Sequence, residues 1–497
     1  MDLSLPDWIN LAMLGRAPAI ALPIVYGLAI LSALDAVMNA RTSQGSAAWA
    51  VSLVAFPLIA FPLYWLFGRT RFHEYVSDLR SVNARIDAFL ARENSDLAPF
   101  LFGVGEDERD DVSADDRGER AAFGRLARLP FLRGNGARLL VDGAEAFPAM
   151  LDALARAERS ILFQFYILKS DTLGDRFADV LIERARAGVA VCVLYDDIGS
   201  YWISRAYRRR LREAGIEVSG FPGRKSLLKR FRLNFRNHRK IVVIDGHTAF
   251  TGGLNVGDEY LHGSKTMGEW RDTHVCVTGP LALALQLSFV KDWHFSTGRT
   301  PPALDWKPVA SASGEDRLGI VIESGPADEV ETASLLYAHA IASAERRVWI
   351  ATPYFVPDGA VFAALQVAAL RGVDVRIIMP RSSDNVLFQF VPYAYLPDIE
   401  RVGVQAYLYE PGFMHQKVML VDDDYAIISS ANLDNRSFRL NFEVTALFCD
   451  ADLCGDVERM LERDLARSTR LTGEDLAARS LVFRFAVRVA RLMAPVL

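Results

Sequence analysis

The chain has 497 residues, and at about 100–200 residues per domain this length predicts two to four structural units. Half of the residues are hydrophobic (51%), which is enough for a large core. The net charge of −5 excludes a chain that is basic throughout and built to bind nucleic acid. Four scattered cysteines without C-x-x-C spacing favour neither a disulfide scaffold nor a zinc site.

Two uncharged stretches, Ala17–Leu34 and Ser46–Phe67, predict a transmembrane helical hairpin over residues 1–70. The second stretch would measure about 33 Å as a helix, enough to cross a hydrocarbon core of about 30 Å. The first is shorter and extends to Met38 if Asp35 reaches the membrane interface. A cleaved signal peptide is the alternative, but its leading segment would be acidic and a second apolar stretch follows.

The charges that flank these stretches predict an orientation. Arg69, Arg71, Arg80 and Arg85 follow the second stretch, whereas the intervening loop offers only Arg41. Positive residues favour the cytoplasmic side. The sequence therefore predicts a multi-pass protein with both ends of the hairpin, and the long remainder, in the cytoplasm.

Residues 71–125 are predicted to form a helix and an acidic linker. The linker, Glu93–Arg120, contains "GEDERDD" and has too few apolar residues to pack. At the other end of the chain, residues 479–497 place Arg484, Arg488 and Arg491 at helical spacing. This pattern indicates an amphipathic helix, either at a membrane interface or packed on its own domain.

Between these segments the chain repeats itself. "AERSILFQFYI" (Ala157–Ile167) and "RAGVAVCVLYDD" (Arg186–Asp197) return as "AERRVWIATPYF" (Ala344–Phe355) and "LRGVDVRIIMPR" (Leu370–Arg381). Helices that alternate with short buried strands are typical of an α/β sheet covered on both faces. We expect two similar α-β-α domains, residues 126–312 and 313–478, in a pseudo-twofold arrangement.

Each half also carries one copy of His-x-Lys-x₄-Asp. The copies lie in "NHRKIVVIDG" and "MHQKVMLVDD" and consist of His238, Lys240 and Asp245, and of His415, Lys417 and Asp422. Side chains alternate along a strand, so the histidine and lysine share a face and the aspartate takes the other. A turn-capping or buried-pair role is therefore expected for the aspartates, although they belong to the motif.

A small-residue turn and an asparagine follow each copy at the same distance. These residues are Gly252, Gly253, Leu254 and Asn255 in the first half, and Ser429, Ser430, Ala431 and Asn432 in the second. Small residues let backbone amides approach a ligand, and lysine and asparagine donate to phosphate oxygens. One imidazole can attack phosphorus while another protonates the leaving alkoxide. Two half-sites around one phosphodiester would explain the duplication.

The doubled motif resembles the phospholipase D superfamily. Four segments, together with the two-stretch beginning, are similar to bacterial cardiolipin synthases: "NHRKIVVIDGHTAFTGGLNVGDEY", "WRDTHVCVTGP", "TPYFVPD" and "SANLDNRSFRLNFE". The resemblance covers nearly the whole chain. One departure is Gly253 and Ser429, where the superfamily often has Ser and Gly, so a phosphate contact from Gly253 would involve its backbone only.

The resemblance implies that His238 attacks one phosphatidylglycerol, that His415 protonates the departing glycerol, and that a second phosphatidylglycerol then attacks to give cardiolipin. No metal or other cofactor is implied. Both lysines, Gly252, Asn255, Ser430 and Asn432 would bind the phosphoryl group. Asp272 and Glu443, at equivalent places after each motif, would orient the histidines. The partners would be phosphatidylglycerol and cardiolipin in the anionic bacterial inner membrane, and not nucleic acid; oligomeric state stays open.

Three other functions are compatible with parts of this pattern: a phospholipase D that uses water as acceptor, a nuclease of the same superfamily, and a non-catalytic lipid-binding scaffold. A basic cluster lies before the first motif, from Arg205 to Arg212 and from Arg224 to Arg236. We expect it to face anionic headgroups, with a solvated surface as the alternative. Whether phosphatidylethanolamine serves as a substrate stays open.

Overall fold

The structure, a computed structural model, describes residues 11–39, 43–68, 75, 94–102, 114–222, 234–383 and 386–493. It divides into two compact units. The N-terminal unit comprises residues 1–73 with 225–235, and the main unit comprises residues 74–224 with 236–497. Much of the predicted acidic linker, residues 103–113, and of the basic cluster, residues 223–233, lies outside the described residues.

The N-terminal unit contains α1 (Leu11–Asn39), α2 (Ser43–Ala55) and α3 (Pro57–Leu63), followed by a π-helical turn, Tyr64–Gly68. Within the described residues, one helix segment, Leu22–Asn39, is long and apolar enough to cross a membrane. The second predicted span is broken at Phe56, whose backbone is not helical. Pro57 contributes to this break because it has no amide hydrogen with which to continue α2.

The broken segment folds back on itself. The Ser46 hydroxyl donates to the carbonyl of Ala36, and the Tyr64 hydroxyl donates to Asp35, so both ends of the segment lie at one end of α1. The rings of Trp49 and Tyr64 lie 5.4 Å apart. In a straight helix these two residues would be separated by about 22 Å at 1.5 Å per residue. The expectation of one continuous span over residues 46–67 was therefore wrong.

Within the described residues, the main unit contains one large sheet and a separate two-stranded sheet. Its strands are β1 (Leu132–Val141), β2 (Ser160–Phe165), β3 (Ala190–Asp196), β4 (Glu217–Phe221), β5 (Arg236–Asn237), β6 (Ile241–Ile244), β7 (Thr248–Gly252), β8 (Glu269–Arg271), β9 (Thr273–Thr278), β10 (Arg317–Ser324), β11 (Arg347–Ala351), β12 (Asp374–Pro380), β13 (Gln405–Tyr409), β14 (Gly412–Met414), β15 (Val418–Val421), β16 (Tyr425–Ser429), β17 (Asn441–Cys449) and β18 (Ser468–Leu471).

The helices of the main unit connect these strands. They are α4 (Asn94–Leu97), α5 (Ala114–Ala127), α6 (Asp142–Ala155), α7 (Thr172–Arg186), α8 (Arg205–Glu213), α9 (Glu259–His262), α10 (Leu281–Thr297), α11 (Thr332–Ser343), α12 (Gly359–Leu370), α13 (Val391–Glu400), α14 (Asn435–Arg439), α15 (Ala451–Ala466), α16 (Gly473–Ala477) and α17 (Leu481–Met493), with short 3₁₀ turns at Ala98–Phe100 and Val386–Gln389.

The sheet repeats its own order on each side of a central antiparallel pair, β1 and β10. The first half continues β9-β7-β6-β2-β3-β4, and the second continues β17-β16-β15-β11-β12-β13 before β18 closes the edge. In both halves three parallel strands, β2-β3-β4 or β11-β12-β13, form the outer part. The α/β class and the duplication are thus as predicted. Each half has its own hydrophobic core.

The segment before the first half and the C-terminal segment both pack on the main unit. Part of the predicted acidic linker is helical, because α5 starts at Ala114 and buries Phe123 completely against the second half's core. The C-terminal helix α17 packs through Val487 and Ala490, while Phe485 on its other face is exposed. Packing on the main unit is therefore confirmed for one face of α17, and its outer face stays apolar and uncovered by the described residues.

Candidate active site

Two short parallel pairings bring the motif strands of one half against the carboxylates of the other. Strand β5 pairs with β17 so that Asn237 lies opposite Phe442, and β14 pairs with β8 so that Met414 lies opposite Arg271. The next residue along each strand is a motif histidine or a predicted carboxylate. The register therefore sets His238 beside Glu443 and His415 beside Asp272.

His238 is held by groups of the second half. Its Nδ1 lies 2.9 Å from Oε2 of Glu443 and 3.0 Å from the carbonyl oxygen of Ser430. Because a carbonyl oxygen only accepts hydrogen bonds, we assign the proton to Nδ1, which leaves the Nε2 lone pair free in the neutral ring. Burial lowers the pKa of His238 against the opposing charge of Glu443, which favours the neutral ring at neutral pH. The Tyr166 ring packs 4.7 Å from the imidazole.

His415 is held by the first half in the same way. Its Nδ1 lies 2.6 Å from Oδ2 of Asp272, and its backbone amide donates to the carbonyl of Arg271. The rings of Trp270 and Phe413 lie 6.0 and 5.5 Å from the imidazole. Each predicted carboxylate thus contacts a histidine, but each serves the histidine of the opposite half.

The two lysines lie buried at this junction. Lys240 donates to the carbonyl of His238, and Lys417 donates to the carbonyl of His415. Burial lowers the pKa of Lys240 to about 7, opposed by the charge of Glu443 and reinforced by that of Lys417. Because the charge of Lys417 acts on both Lys240 and His238, the two motifs share one electrostatic environment.

The motif aspartates face away from the histidines, as strand alternation predicts. The Asp245 carboxylate accepts from the backbone amides of Glu158, Arg159 and Ser160. Asp422 accepts in the same manner from the amides of residues 345–347. These contacts tie the turn after each motif strand to the start of β2 or β11, so both aspartates have structural positions.

The small-residue turns lie against the carboxylates. Gly252 has a φ of +147°, and an added Cβ there would approach the Thr273 carbonyl oxygen to 2.5 Å. Ser430, predicted to bind substrate, donates its hydroxyl to Oε2 of Glu443 at 2.5 Å. The Asn255 amide group donates to Tyr260 and its oxygen accepts from Ile167.

The side-chain oxygen of Asn432, Oδ1, is buried and makes no hydrogen bond within the described part of the chain. The side-chain nitrogen, Nδ2, donates to Asp434 at 3.2 Å. Both asparagines are therefore braced by their own half, and a contact with a phosphoryl oxygen requires their remaining amide hydrogen.

Sequence reasoning missed two buried acids behind the motifs. Asp292 of α10 accepts from Arg239, the middle residue of the first motif, at 2.9 Å. Asp464 of α15 accepts from Gln416, the middle residue of the second, at 2.7 Å, and from Arg271. The available signal was their equivalent spacing, 20 residues after Asp272 and 21 residues after Glu443.

Two histidine–lysine strands that meet carboxylates of the opposite half, on a duplicated α/β sheet, define a phospholipase D-type site. The family model described as "Cardiolipin synthase, PLD-like domain" matches residues 150–269 and 337–465. A second model, "Phospholipase_D-nuclease N-terminal", matches residues 27–69. Each copy of the first model lies within one half of the main unit.

Similar proteins point to the same family. Cardiolipin synthase A of Pseudomonas aeruginosa is 44% identical over 470 residues, covering 95% of this chain and 94% of that protein. Cardiolipin synthase A of Pseudomonas putida is 42% identical over 478 residues, covering 96% of this chain and 98% of that protein. The chain belongs to the cardiolipin synthase family of the phospholipase D superfamily and is a phosphatidyltransferase.

The fold also resembles a solved structure of a different enzyme. The phosphatidylserine synthase of Haemophilus influenzae superposes with a TM-score of 0.58 at 16% sequence identity. The match covers 76% of this chain and all of that one. At this identity the likeness concerns the fold alone.

Proposed function

We propose that the chain makes cardiolipin by moving the phosphatidyl group of one phosphatidylglycerol to the terminal hydroxyl of a second, with release of glycerol. The observation that carries the proposal is the crossed pair of contacts, His238 with Glu443 and His415 with Asp272. A two-step transfer needs a nucleophile and a separate acid, each held in one orientation. The two crossed pairs provide both.

In the first step, Nε2 of His238 attacks phosphorus and the bond from phosphorus to the glycerol oxygen breaks. His415, protonated, gives its proton to that oxygen as glycerol departs. The positive charge that develops on the His238 ring is stabilised by Glu443, since their contact is buried and 2.9 Å long. The product of this step is a phosphatidyl group bound to His238.

In the second step, a second phosphatidylglycerol brings its terminal hydroxyl to the phosphorus. His415, now neutral, takes the hydroxyl proton, the new P–O bond forms and the P–N bond to His238 breaks. One phosphodiester replaces another, so the step requires no nucleotide. The starting states of both histidines are restored.

The buried lysines suit the charge that accumulates on the phosphoryl oxygens. Lys240 and Lys417 are each almost inaccessible to water, and both lie within the same electrostatic environment. In such surroundings a positive group stabilises a developing negative charge more strongly than in water. We propose the same bacterial inner-membrane location as the sequence indicated, with the main unit in the cytoplasm.

Product analysis tests this function. The full chain, in vesicles that contain phosphatidylglycerol labelled in its headgroup, is expected to give cardiolipin and labelled glycerol in equal amounts, as measured by mass spectrometry of the lipid and aqueous phases. A His238→Ala, His415→Ala variant is the control. Phosphatidic acid as the main product would make the chain a phospholipase D, and no product at all would favour a lipid-binding scaffold.

A further inference from the structure

An exposed aromatic pair stands in the loop between β3 and α8. The side chains of Tyr201 and Trp202 are 74% and 78% exposed, and their rings contact each other edge to face at 5.2 Å. Ile198 in the same loop is also exposed. Exposed residues of this size are costly in water unless something covers them in the working protein.

The loop is fixed to the residues that position His238. The buried Asp196 carboxylate accepts from the amides of Ile198 and Gly199 on one oxygen and from the amide of Asn237 on the other. Asn237 immediately precedes His238. The aromatic pair is thus connected to the histidine strand through a single carboxylate.

A second link runs through the aromatic neighbour of His238. The Ser200 hydroxyl donates to the carbonyl of Tyr166 at 2.9 Å, and the Tyr166 ring packs on His238. Ser200 directly precedes Tyr201 in the chain. The loop that carries the exposed pair is therefore bonded to two neighbours of His238, Asn237 and Tyr166.

The equivalent loop of the second half follows β12, and its aromatic side chains Phe388 and Phe390 are half-buried. Phe388 packs on Tyr354 with ring centroids 4.1 Å apart. Phe390 packs on Phe483 of α17 at 5.2 Å. The second half thus packs these two aromatic side chains on protein, whereas Tyr201 and Trp202 of the first half are exposed.

The surface beside the exposed pair is basic. Helix α8 begins three residues after Trp202 and exposes Arg205 and Arg209 while it buries Tyr207 and Leu211. Aromatic side chains with a polar edge concentrate at membrane–water interfaces, and arginines beside them attract anionic headgroups. This combination fits an anionic bilayer better than a second protein, whose contact surface would be poorer in charge at its centre.

We propose that Tyr201 and Trp202 insert into the interface of the bilayer and hold the His238 side of the site against the lipid surface. This inference rests on the proposed lipid substrate. The loop would shorten the path by which a phosphodiester leaves the membrane plane and reaches His238. Tyr201 and Trp202 act by positioning and do not touch the reacting atoms.

The test compares two forms of substrate. Full-length chain with Tyr201→Ser and Trp202→Ser is expected to lose roughly tenfold in turnover of long-chain phosphatidylglycerol in vesicles, because the aromatic contacts with the interface are removed. Turnover of dispersed dihexanoyl phosphatidylglycerol should change by less than about twofold, since that substrate needs no docking. Leu370→Ser is the matched control, because Leu370 is 70% exposed and ends α12, just before β12 starts, away from the edge that carries the loop.

Fluorescence supplies the second measurement. Trp202→Phe keeps an apolar ring and removes one fluorophore, so the difference from the unsubstituted chain reports on Trp202. Brominated lipids should quench that difference signal. Unchanged vesicle turnover in the double variant would overturn the inference, and so would a Trp202 signal that brominated lipids do not quench. If that unquenched signal is accompanied by dimers whose amount depends on protein concentration, the loop contacts a second copy of the chain instead. If the unsubstituted chain turns over neither substrate, the proposed function itself is rejected.

A separate observation concerns the N-terminal unit. Residues 43–68 turn at Phe56, and both ends of this segment contact the same end of α1. The turn is apolar and exposed, with Val54, Phe56, Leu58 and Ile59 each at least 60% exposed. The Phe56 amide donates to Ser52 and the Ala60 amide donates to Phe56, so these two amides at the turn are bonded without water.

We infer that α1 is the single membrane crossing and that α2 and α3 form a re-entrant helical hairpin with an apolar tip. Each arm is about 15–20 Å long, roughly half of a hydrocarbon core. Residues 43 and 68 then lie on one side of the membrane, opposite the start of α1. This replaces the arrangement of two crossings that the sequence indicated.

Cysteine accessibility tests this arrangement in the full chain. With Gln44→Cys or Leu63→Cys, a maleimide that cannot cross membranes should label both positions from the same side, and Phe56→Cys should resist labelling from either side. The unsubstituted chain gives the background of the native cysteines, all of which lie in the main unit. Labelling of Gln44→Cys and Leu63→Cys from opposite sides would overturn the inference and restore two crossings.

Discussion

The two halves of the main unit contribute the same kinds of groups but surround their carboxylates differently. Glu443 of the second half accepts from the hydroxyl of Ser430 at 2.5 Å and from the side-chain amide of Asn441 at 3.2 Å, besides contacting His238. Burial alone would raise the pKa of Glu443. His238, Lys240 and Ser430 together outweigh burial and hold that pKa below its ordinary value.

The first half has no such hydroxyl at the equivalent position. Gly253 lies where Ser430 lies in the second half, and a Cβ at Gly253 would come within 2.0 Å of Oδ1 of Asp272. Burial raises the pKa of Asp272, although Lys417 and the Thr273 amide oppose the change. Asp272, which has a shorter side chain and packs against a glycine that offers no hydroxyl, therefore ionises less readily than Glu443.

This difference gives the two histidines unequal properties. A fully ionised carboxylate stabilises positive charge on its imidazole, which suits the histidine that forms the covalent intermediate. A less readily ionised carboxylate leaves its imidazolium more acidic, which suits the proton donor. The asymmetry therefore supports His238 as nucleophile and His415 as acid, an assignment that the sequence made only through family resemblance.

The largest expected effect comes from breaking the crossed pairs. Glu443→Gln and Asp272→Asn should each lower kcat/KM by about 10²–10³, since an acid or base without its orienting partner loses most of its effect. In a double-mutant cycle, Glu443→Gln should add little to His238→Ala, and Asp272→Asn little to His415→Ala. Coupling between Asp272 and His238 instead would contradict the crossed arrangement.

The pH dependence sharpens the comparison of the two lysines. Burial lowers the pKa of Lys240 to about 7, so the charge needed to bind phosphate is present below that pH and is lost as pH rises through it. The kcat/KM of the free enzyme should therefore decline above about pH 7. Lys240→Arg should move the decline to higher pH, since a guanidinium stays charged. Lys417→Arg is the matched control and should keep the decline, because Lys240 is intact.

The motif aspartates should affect stability and not chemistry. Asp422 is 2% exposed and accepts three backbone amides, so Asp422→Ala should lower the free energy of unfolding by about 2–3 kcal/mol. Asp245→Ala should cost less, because Asp245 is only half-buried. Thermal unfolding of the detergent-solubilised chain measures both. A loss of turnover per folded molecule as large as that of Glu443→Gln would place the aspartates in the reaction after all.

The smallest expected effect tests the hydroxyl that only the second half has. Ser430→Ala removes one hydrogen bond to Glu443 and should lower kcat about three- to tenfold, in line with about 0.5–1.5 kcal/mol per hydrogen bond. Gly253→Ala should lower it further, because the new Cβ would displace the Asp272 carboxylate. Steady-state kinetics on both variants decide this, and equal small effects would remove the basis for the asymmetry.

The sequence predicted the duplicated α/β fold because the repeated strands and helices have clear local patterns. It also predicted the outward direction of Asp245, since strand alternation is a local rule. It did not reveal which carboxylate serves which histidine, because that depends on the pairing of β5 with β17 and of β14 with β8, strands about 200 and 140 residues apart. Asp292 and Asp464 were missed for the same reason.

The second membrane segment shows another limit of sequence reasoning. Hydropathy measures how apolar residues 46–67 are, and this segment is apolar enough to cross. Whether it runs straight depends on Pro57 and on the contacts of Tyr64 and Trp65 with α1. These contacts return the end of the segment to the same end of α1 at which the segment starts. Amino-acid composition does not predict such contacts.

The most direct test of the account traps the covalent intermediate. A phosphatidyl ester of p-nitrophenol needs no acid to release its alcohol, so His415→Ala should give one burst of p-nitrophenol per active site while His238→Ala gives none. Peptide mass spectrometry under alkaline conditions should then find the phosphatidyl group on His238. A burst from His238→Ala, with the adduct on His415, would contradict both the assigned roles and the asymmetry from which they follow.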